Sequence, residues 1–215
     1  KCNFALDENW KKTPPLFFLC FEFLAIGQET NKYASYYSLY THAEELFEKG
    51  QYGSARAEFR SFIQSGVSKD DPFVEKAYYY EGVAALELFN EDAISLLEAY
   101  TVRYPENIHN AGISFKIGNY FFQKEDFENA ALWYKKTRLD ELENDRKDEL
   151  LFKHGYSAYQ LNDRLTALNT FRDVKDGKTQ YASPSLYFYS HLNYLAGALQ
   201  VALEGFEKLK TNEAF

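Results

Sequence analysis

The amino-acid sequence predicts an all-α fold, a solenoid of about five antiparallel helix pairs, and two observations lead to this prediction. The first is an alanine that returns at intervals of 35 to 38 residues, and the second is a large apolar residue four positions after each alanine. The alanines are Ala55, Ala93, Ala130, Ala167 and Ala202, and they are followed by Phe59, Leu97, Tyr134, Phe171 and Phe206. Residues four positions apart lie on one face of an α-helix. A period of this length with helical spacing inside it is typical of stacked helix pairs rather than of one globular core.

Five units follow from this period, at about residues 38–66, 73–107, 111–138, 149–175 and 184–210, after a lead-in segment at 28–37. Together they form one predicted repeat domain of residues 38–215. A short break such as Gly50-Gln51 divides a unit into two helices, and so short a connection makes the two helices antiparallel. Pro105 closes the second unit because proline cannot continue a helix, whereas Pro184 suits the first turn of the last pair. The charged stretch 140–149 is predicted to be a solvated loop and a helix start, because acidic side chains favour a helix N-terminus.

The N-terminal segment has the layout of a secretory signal peptide. Lys11 and Lys12 precede an apolar run at 16–26, and small residues, Ala25 and Gly27, stand at the end of it. Eleven residues are too few to cross a bilayer as a helix. We expect residues 1–27 to be a cleaved signal peptide, which would place the protein in the periplasm or cell envelope. The alternative is an apolar helix packed on the first repeat of a cytoplasmic protein, because Glu22 interrupts the apolar run.

Pairs of small residues at a regular spacing indicate a resemblance to a known family of repeat proteins. Gly118 and Ala130 are twelve positions apart, as are Gly155 and Ala167. The other units have Ala43 with Ala55, Gly82 with Ala93 at eleven positions, and Ser190 in the first small position of the last unit. In this pattern the sequence from about residue 38 to 209 resembles the tetratricopeptide repeat (TPR) family, and its longer units resemble the envelope and periplasmic TPR proteins of Gram-negative bacteria. The resemblance implies a right-handed α-α superhelix in which small residues let the two helices of a pair approach closely.

The resemblance also implies that the first helix of each pair lines a concave, peptide-binding groove. Mapped onto this sequence, the groove positions are Tyr79, Val83 and Leu86; Phe115, Asn119 and Phe122; Phe152, Tyr156 and Tyr159; and Tyr187, His191 and Tyr194. Such a stripe of rings is either core packing or a set of anchors for a bound segment. Asn119 coincides with an asparagine that some family members use to clamp a C-terminal carboxylate. Because Phe115 stands where the partner lysine of that clamp belongs, capture of a C-terminal carboxylate is not predicted.

Charge and motifs exclude several classes of function. The chain of 215 residues has a formal net charge of −8 and no cluster of lysines and arginines, so nucleic acid is not an expected partner. Its four histidines show no zinc-binding spacing. The sequence has no phosphate-binding loop, dinucleotide fingerprint or nucleophile elbow. We therefore predict no enzymatic activity, no metal and no cofactor.

The predicted function is that of a non-catalytic protein- or peptide-binding scaffold in the cell envelope. One alternative is an assembly or oligomerisation module of a longer repeat protein, with Ala202, Phe206 and Leu209 as an apolar, self-associating edge. A second alternative is a glycan-handling accessory protein, because a groove rich in tyrosine can also stack against sugars. The expected partner is a protein or peptide whose identity the sequence does not give.

Overall fold

The computed structural model describes residues 34–211, and within that range the chain forms α-helices and short turns without any β-strand. The described part of α1 covers residues 34–48. It is followed by α2 (Tyr52–Gln64), α3 (Pro72–Glu87), α4 (Ala93–Arg103), α5 (Asn110–Gln123), α6 (Phe127–Lys136), α7 (Asn144–Gln160), α8 (Arg164–Val174), α9 (Ala182–Leu195) and α10 (Leu199–Thr211). A short 3-10 turn, Leu139–Glu141, lies between α6 and α7. The chain divides into two compact units, Lys1–Ala77 and Tyr78–Phe215, and the boundary falls inside α3.

The described part of the first compact unit is built around one aromatic ring. Tyr40 of α1 is buried, and its ring meets the rings of Phe59 and Phe62 on α2 edge-on, with centroids 5.8 and 5.5 Å apart. The ring of Phe73, at the start of α3, lies 4.7 Å from the same tyrosine. Edge-to-face geometry of this kind adds to the burial of apolar area.

In the second compact unit, Tyr78–Phe215, the predicted small residues permit the close approach of paired helices, as expected. A Cβ atom added to Gly82 would lie 2.6 Å from the side chain of Leu97, and one added to Gly118 would lie 2.6 Å from the ring of Tyr134. A Cβ on Gly155 would crowd Thr170 and the ring of Phe171 in the same way. In these three pairs a glycine of the first helix therefore faces a large residue 15 or 16 positions later on the second helix.

The last pair reaches the same closeness with the roles exchanged. Ser190 stands in the first helix where the other pairs have a glycine, and the hydroxyl of Ser190 lies against Gly205 on α10, where a Cβ atom would collide with it. The departure of the fifth unit from the repeat pattern is thus compensated by a glycine on the opposite helix.

Each pair is joined by the same turn. A residue with positive φ ends the first helix, and its N–H and the next N–H return to carbonyls of the last helical turn, which is a Schellman motif. In the fourth unit Asn162 donates to Tyr159 at 3.1 Å and Asp163 donates to Ala158 at 2.8 Å. The positive-φ residues are Gly50, Phe89, Glu125, Asn162 and Gly197. The second helix starts two residues later, or four residues later after Phe89, and so short a connection forces the antiparallel arrangement.

Several boundaries differ from the sequence predictions. Helix α7 begins at Asn144 rather than near Glu149, because part of the charged stretch forms its first turn, with Asp145 in the favourable N-terminal position. Helix α9 begins at Ala182, two residues before Pro184. Helix α1 already includes residues 34–37 of the expected lead-in. The predicted signal segment, residues 1–27, lies outside the described residues.

The predicted apolar edge at the end of the chain is wrong for the residues named. Ala202 and Leu209 are buried and Phe206 is half-buried, because this side of α10 packs onto α9. The exposed apolar side chains of α10 are Leu199, Val201 and Leu203.

Candidate functional site

The first helices of neighbouring pairs lie side by side in the second unit and share one surface. The ring of Phe122 on α5 is 5.7 Å from that of Tyr156 on α7, and Tyr156 is 5.5 Å from Phe188 on α9. These contacts run along one side of the first helices α3, α5, α7 and α9, within residues 78–211. We call this side the A-helix face. All the predicted groove residues belong to these four helices.

The middle of the A-helix face is a cluster of half-buried rings. Phe152, Tyr156, Tyr159 and Phe188 pack against a buried core of Ala158, Ala167, Phe171 and Leu192. Phe188 is the centre of the cluster, stacked on Phe171 at 5.2 Å and 5.2 Å from Tyr159. These rings stabilise the junction between α7, α8 and α9 while part of their surface stays open.

Phe188 was not among the predicted site residues. It stands two positions before the small residue of its unit, where the two preceding units have Lys116 and Lys153. Its only signal in the sequence is its own size, since the repeat pattern assigns no ring to that position.

Four predicted groove residues are interior: Val83 and Leu86 are 3 % and 5 % exposed, and the other two are aromatic rings. Tyr79 is 9 % exposed and stacks on His109 with ring centroids 4.3 Å apart, and burial raises its pKa to about 12. Phe115 is 3 % exposed and belongs to a core cluster with Tyr134 and Leu150. These two rings therefore stabilise the fold and offer no ring surface to a ligand in this conformation.

Asn119 is the centre of a hydrogen-bond network that joins three helices. Its side-chain oxygen accepts from the hydroxyl of Tyr134 at 2.8 Å and from the ammonium of Lys153 at 3.0 Å. Lys153 also pairs with Glu149, one turn earlier on α7, at 2.5 Å. Burial and, secondarily, the charge of Glu149 raise the pKa of Tyr134, so its hydroxyl remains a donor at physiological pH. The network fixes α5, α6 and α7 in register.

The open ring surface lies on α9. Tyr187 and Tyr194 are 44 % and 57 % exposed, and His191 between them is half-buried. The rings of Tyr187 and His191 are parallel within 3°, with centroids 6.2 Å apart. Because the three residues are spaced by four and three positions, they form one stripe on the helix. The ring of Tyr159 on α7 extends this stripe, 6.1 Å from His191.

A small polar cavity opens on the same face between α3 and α5. It has a volume of about 120 Å³ and is lined by Leu86, Glu87, Lys116, Asn119, Tyr120 and Gln123. Asn119 connects it to the network described above, and so to α7. The A-helix face thus carries polar donors at its α5 end and rings at its α9 end.

Two further kinds of site are absent from residues 34–211. No group of three or more histidine, cysteine, aspartate or glutamate side chains is placed to hold a metal ion there. Among these same residues, no helix has both the length and the apolar character to cross a membrane.

Comparison with known proteins identifies the type of fold. The structure matches MamA from AMB-1 with a TM-score of 0.61 and 17 % sequence identity, covering 87 % of this chain and 94 % of that one. It matches MamA from MSR-1 with a TM-score of 0.52, 18 % identity and coverages of 80 % and 91 %. A point mutant of MamA matches with a TM-score of 0.55, 16 % identity and coverages of 85 % and 98 %.

MamA is a TPR-like helical repeat protein. The fold is all-α, of TPR-like antiparallel helix pairs. At these identities the likeness concerns the fold alone. No family model matches the sequence, and no curated protein matches it.

Proposed function

We propose that this protein is a non-catalytic scaffold whose A-helix face binds an extended segment of a protein partner. The observation that carries the proposal is the stripe of open rings on α9, Tyr187, His191 and Tyr194, next to the half-buried Tyr159. Tyrosine rings are large, lose little conformational entropy on binding and are enriched at binding hot spots. The TPR-like fold supports the proposal, because the face lies on the first helices, where the resemblance expects a peptide groove.

We place the protein in the cell envelope as part of this proposal. The support is the sequence of residues 1–27, with its basic flank, apolar run and small residues before a cleavage point. A cytoplasmic location remains the alternative if that segment is retained.

A specific observation favours self-assembly as a second candidate function. On the last helix pair, Leu195, Leu199 and Leu203 are exposed and closely spaced along the chain. Exposed apolar side chains in one region are typical of contact surfaces. In that case the partner is another copy of the chain rather than a client.

The test compares rings on the A-helix face with apolar residues on the second helices. Tyr187→Ala/Tyr194→Ala removes the open rings, and Leu132→Ala/Leu165→Ala removes two exposed side chains from α6 and α8 as a matched control. Each protein is crosslinked in extract of its native host, partners are identified by mass spectrometry, and the affinity of a purified partner is measured.

We expect the tyrosine pair to weaken binding roughly 10- to 100-fold, about 1.4 to 2.8 kcal/mol for two anchor rings, and the leucine pair to leave it unchanged. Equal binding by all three proteins would contradict the proposal. A crosslink map confined to copies of this chain, with dimers in light scattering, would favour self-assembly. Binding to a glycan array that depends on the same two tyrosines would favour the sugar-handling alternative.

A further inference from the structure

We propose that Lys116, together with the side-chain amides of Asn119 and Gln123, forms a subsite on the A-helix face that takes one acidic side chain of the bound segment. The inference rests on the proposed function and specifies the chemistry of the partner. The occupant is an aspartate or glutamate in an extended peptide that also carries a large apolar or aromatic residue for the rings of α9.

The first support is the state of Lys116. It is half-buried on α5 and lines the cavity between α3 and α5, yet it makes no ion pair and no hydrogen bond through its side chain with residues 34–211. Its pKa is lowered, first by burial and then by the charge of Arg146. Partial burial of an ammonium group without a partner is costly, and a bound carboxylate would offset that cost.

The equivalent lysine of the next unit shows what a partner changes. Lys153 stands, like Lys116, two positions before the small residue of its first helix. It is held by Glu149, four residues earlier, and by Asn119. Four residues before Lys116 the sequence has Gly112, so the position that would supply an intrachain carboxylate carries no side chain. The unpaired state of Lys116 therefore follows from the local sequence.

One further cation and one anion act on Lys116. Arg146, in the first turns of α7, is exposed and makes no ion pair within the described residues, and its charge adds to burial in lowering the pKa of Lys116. Glu87 of α3 also lines the cavity, but it is exposed and its effect on the pKa of Lys116 is the smallest of the three causes.

The neighbouring donors suit a peptide carboxylate. Lys116, Asn119 and Gln123 line the cavity at spacings of three and four residues along α5. A carboxylate here would accept a charge-assisted hydrogen bond from Lys116, and the side-chain amides of the other two can donate to the carboxylate or to the peptide backbone.

The distance to the rings sets a spacing in the ligand. Two steps between neighbouring first helices, α5 to α7 and α7 to α9, amount to roughly 16 to 20 Å at ordinary helix packing distances. An extended peptide advances about 3.3 Å per residue. The acidic residue and the aromatic or apolar anchor should therefore stand about five or six positions apart.

The experiment is selection from a random library of displayed twelve-residue peptides against the full chain, followed by fluorescence anisotropy with the selected peptides. The decisive variant is Gly112→Glu, which gives Lys116 the partner that Lys153 already has. A Cβ atom at Gly112 meets no other atom within 4 Å, so the position has room for a side chain. Lys116→Gln removes the positive charge of the subsite directly, and Lys210→Gln, on the exposed side of α10, is the control.

We expect the wild type and Lys210→Gln to select peptides with an aspartate or glutamate five or six positions from an aromatic residue. Gly112→Glu and Lys116→Gln should lose the acidic preference, keep the aromatic one, and bind the selected peptides about tenfold more weakly. Replacing the acidic residue of the peptide with its amide should weaken binding by the wild type equally and have little further effect in Lys116→Gln.

The inference is overturned if the wild type selects aromatic residues without acidic ones, or if Gly112→Glu and Lys116→Gln keep the acidic preference. In either case the proposed function stands, provided that Tyr187→Ala/Tyr194→Ala abolishes selection. If the wild type enriches no peptide at all, the peptide-binding proposal fails together with the subsite. Circular dichroism of Lys116→Gln excludes misfolding as the cause of a loss, since removal of an unpaired, half-buried charge should leave the melting temperature unchanged or raised.

Discussion

The closest helix contact of the third unit gives the sharpest test of the repeat fold. In Gly118→Ala the added Cβ atom would lie 2.6 and 2.7 Å from two ring carbons of Tyr134. That ring is 1 % exposed and is held by the hydrogen bond from its hydroxyl to Asn119, so it has little freedom to move. One of the two helices must shift, or the ring must leave its place.

The magnitude follows from three opposing effects. Overpacking of a filled core costs about 1 to 3 kcal/mol, and weakening the hydrogen bond of Tyr134 costs about 1 kcal/mol more. Alanine has a better helix propensity than glycine by about 1 kcal/mol, which opposes both. We therefore expect Gly118→Ala to lower the free energy of unfolding by about 1 to 3 kcal/mol.

The control is another glycine of the same helix. Gly112 of α5 has open space around the position of a Cβ atom, so Gly112→Ala keeps most of the propensity gain without the collision. Unfolding in urea is followed by the fluorescence of Trp133 on α6, which reports on this pair, and by circular dichroism. The two alanine variants should differ by about 2 to 4 kcal/mol, the steric cost plus the gain at the control site. If Gly118→Ala unfolds at the same or a higher urea concentration than Gly112→Ala, the inferred contact between α5 and α6 is incorrect.

Two further predictions concern the turns. Phe89 has a φ of +54°, a conformation that favours glycine, and its ring stacks on that of Tyr120 with centroids 5.5 Å apart. Phe89→Gly and Phe89→Ala lose the same ring, so the difference between them reports on the backbone, and the glycine variant should be more stable by about 1 kcal/mol in urea unfolding. Equal stability of the two variants would argue against backbone strain. The carboxylate of Asp163 caps α8 by accepting from the N–H of Thr166, so Asp163→Ala should lower the unfolding free energy by roughly 0.5 to 2 kcal/mol near neutral pH. These hydrogen bonds lower the pKa of Asp163 in the folded state, so its contribution to stability is complete above the unfolded pKa of about 3.9 and is lost as the pH falls through the folded pKa. The difference in unfolding free energy between the wild type and Asp163→Ala should therefore become smaller in acid. A difference that does not change with pH would contradict the role of Asp163 as a cap.

The fold was predictable because the residues that define it are local and repeated. A glycine and an alanine twelve positions apart, as in Gly118 and Ala130, fix the two helices of a pair, and the turn between them follows from its length. The strained turn was not predictable in the same way. The side chain of Phe89 disfavours positive φ, so the sequence does not indicate this turn. Only the backbone hydrogen bonds around Phe89 show that it occupies the turn position that Gly50 and Gly197 occupy in other pairs.

The candidate site was predictable only in part, because burial on the A-helix face depends on neighbours from other segments. Tyr79 is covered by His109, which belongs to the connection before α5. Phe115 is covered by Leu142 and Leu150, which come from the connection after α6 and from α7. The repeat register places each ring on the correct helix but contains no information about these covering residues.

Two lysines of the A-helix face occupy the same position of the repeat but differ in their partners. Lys116 and Lys153 have the same register, on the same helix of successive pairs. One has a glutamate four residues earlier and forms part of the structure; the other has a glycine there and keeps its charge unpaired within the described residues. Because Gly112 faces open space, the glycine is not required by helix packing, unlike Gly118 two turns later. The same helix therefore contains one glycine that the fold requires and one that the packing does not explain. The proposed subsite and the structural ion pair therefore differ by the residue four positions before the lysine, and we expect Gly112→Glu to convert the first into the second by a single substitution.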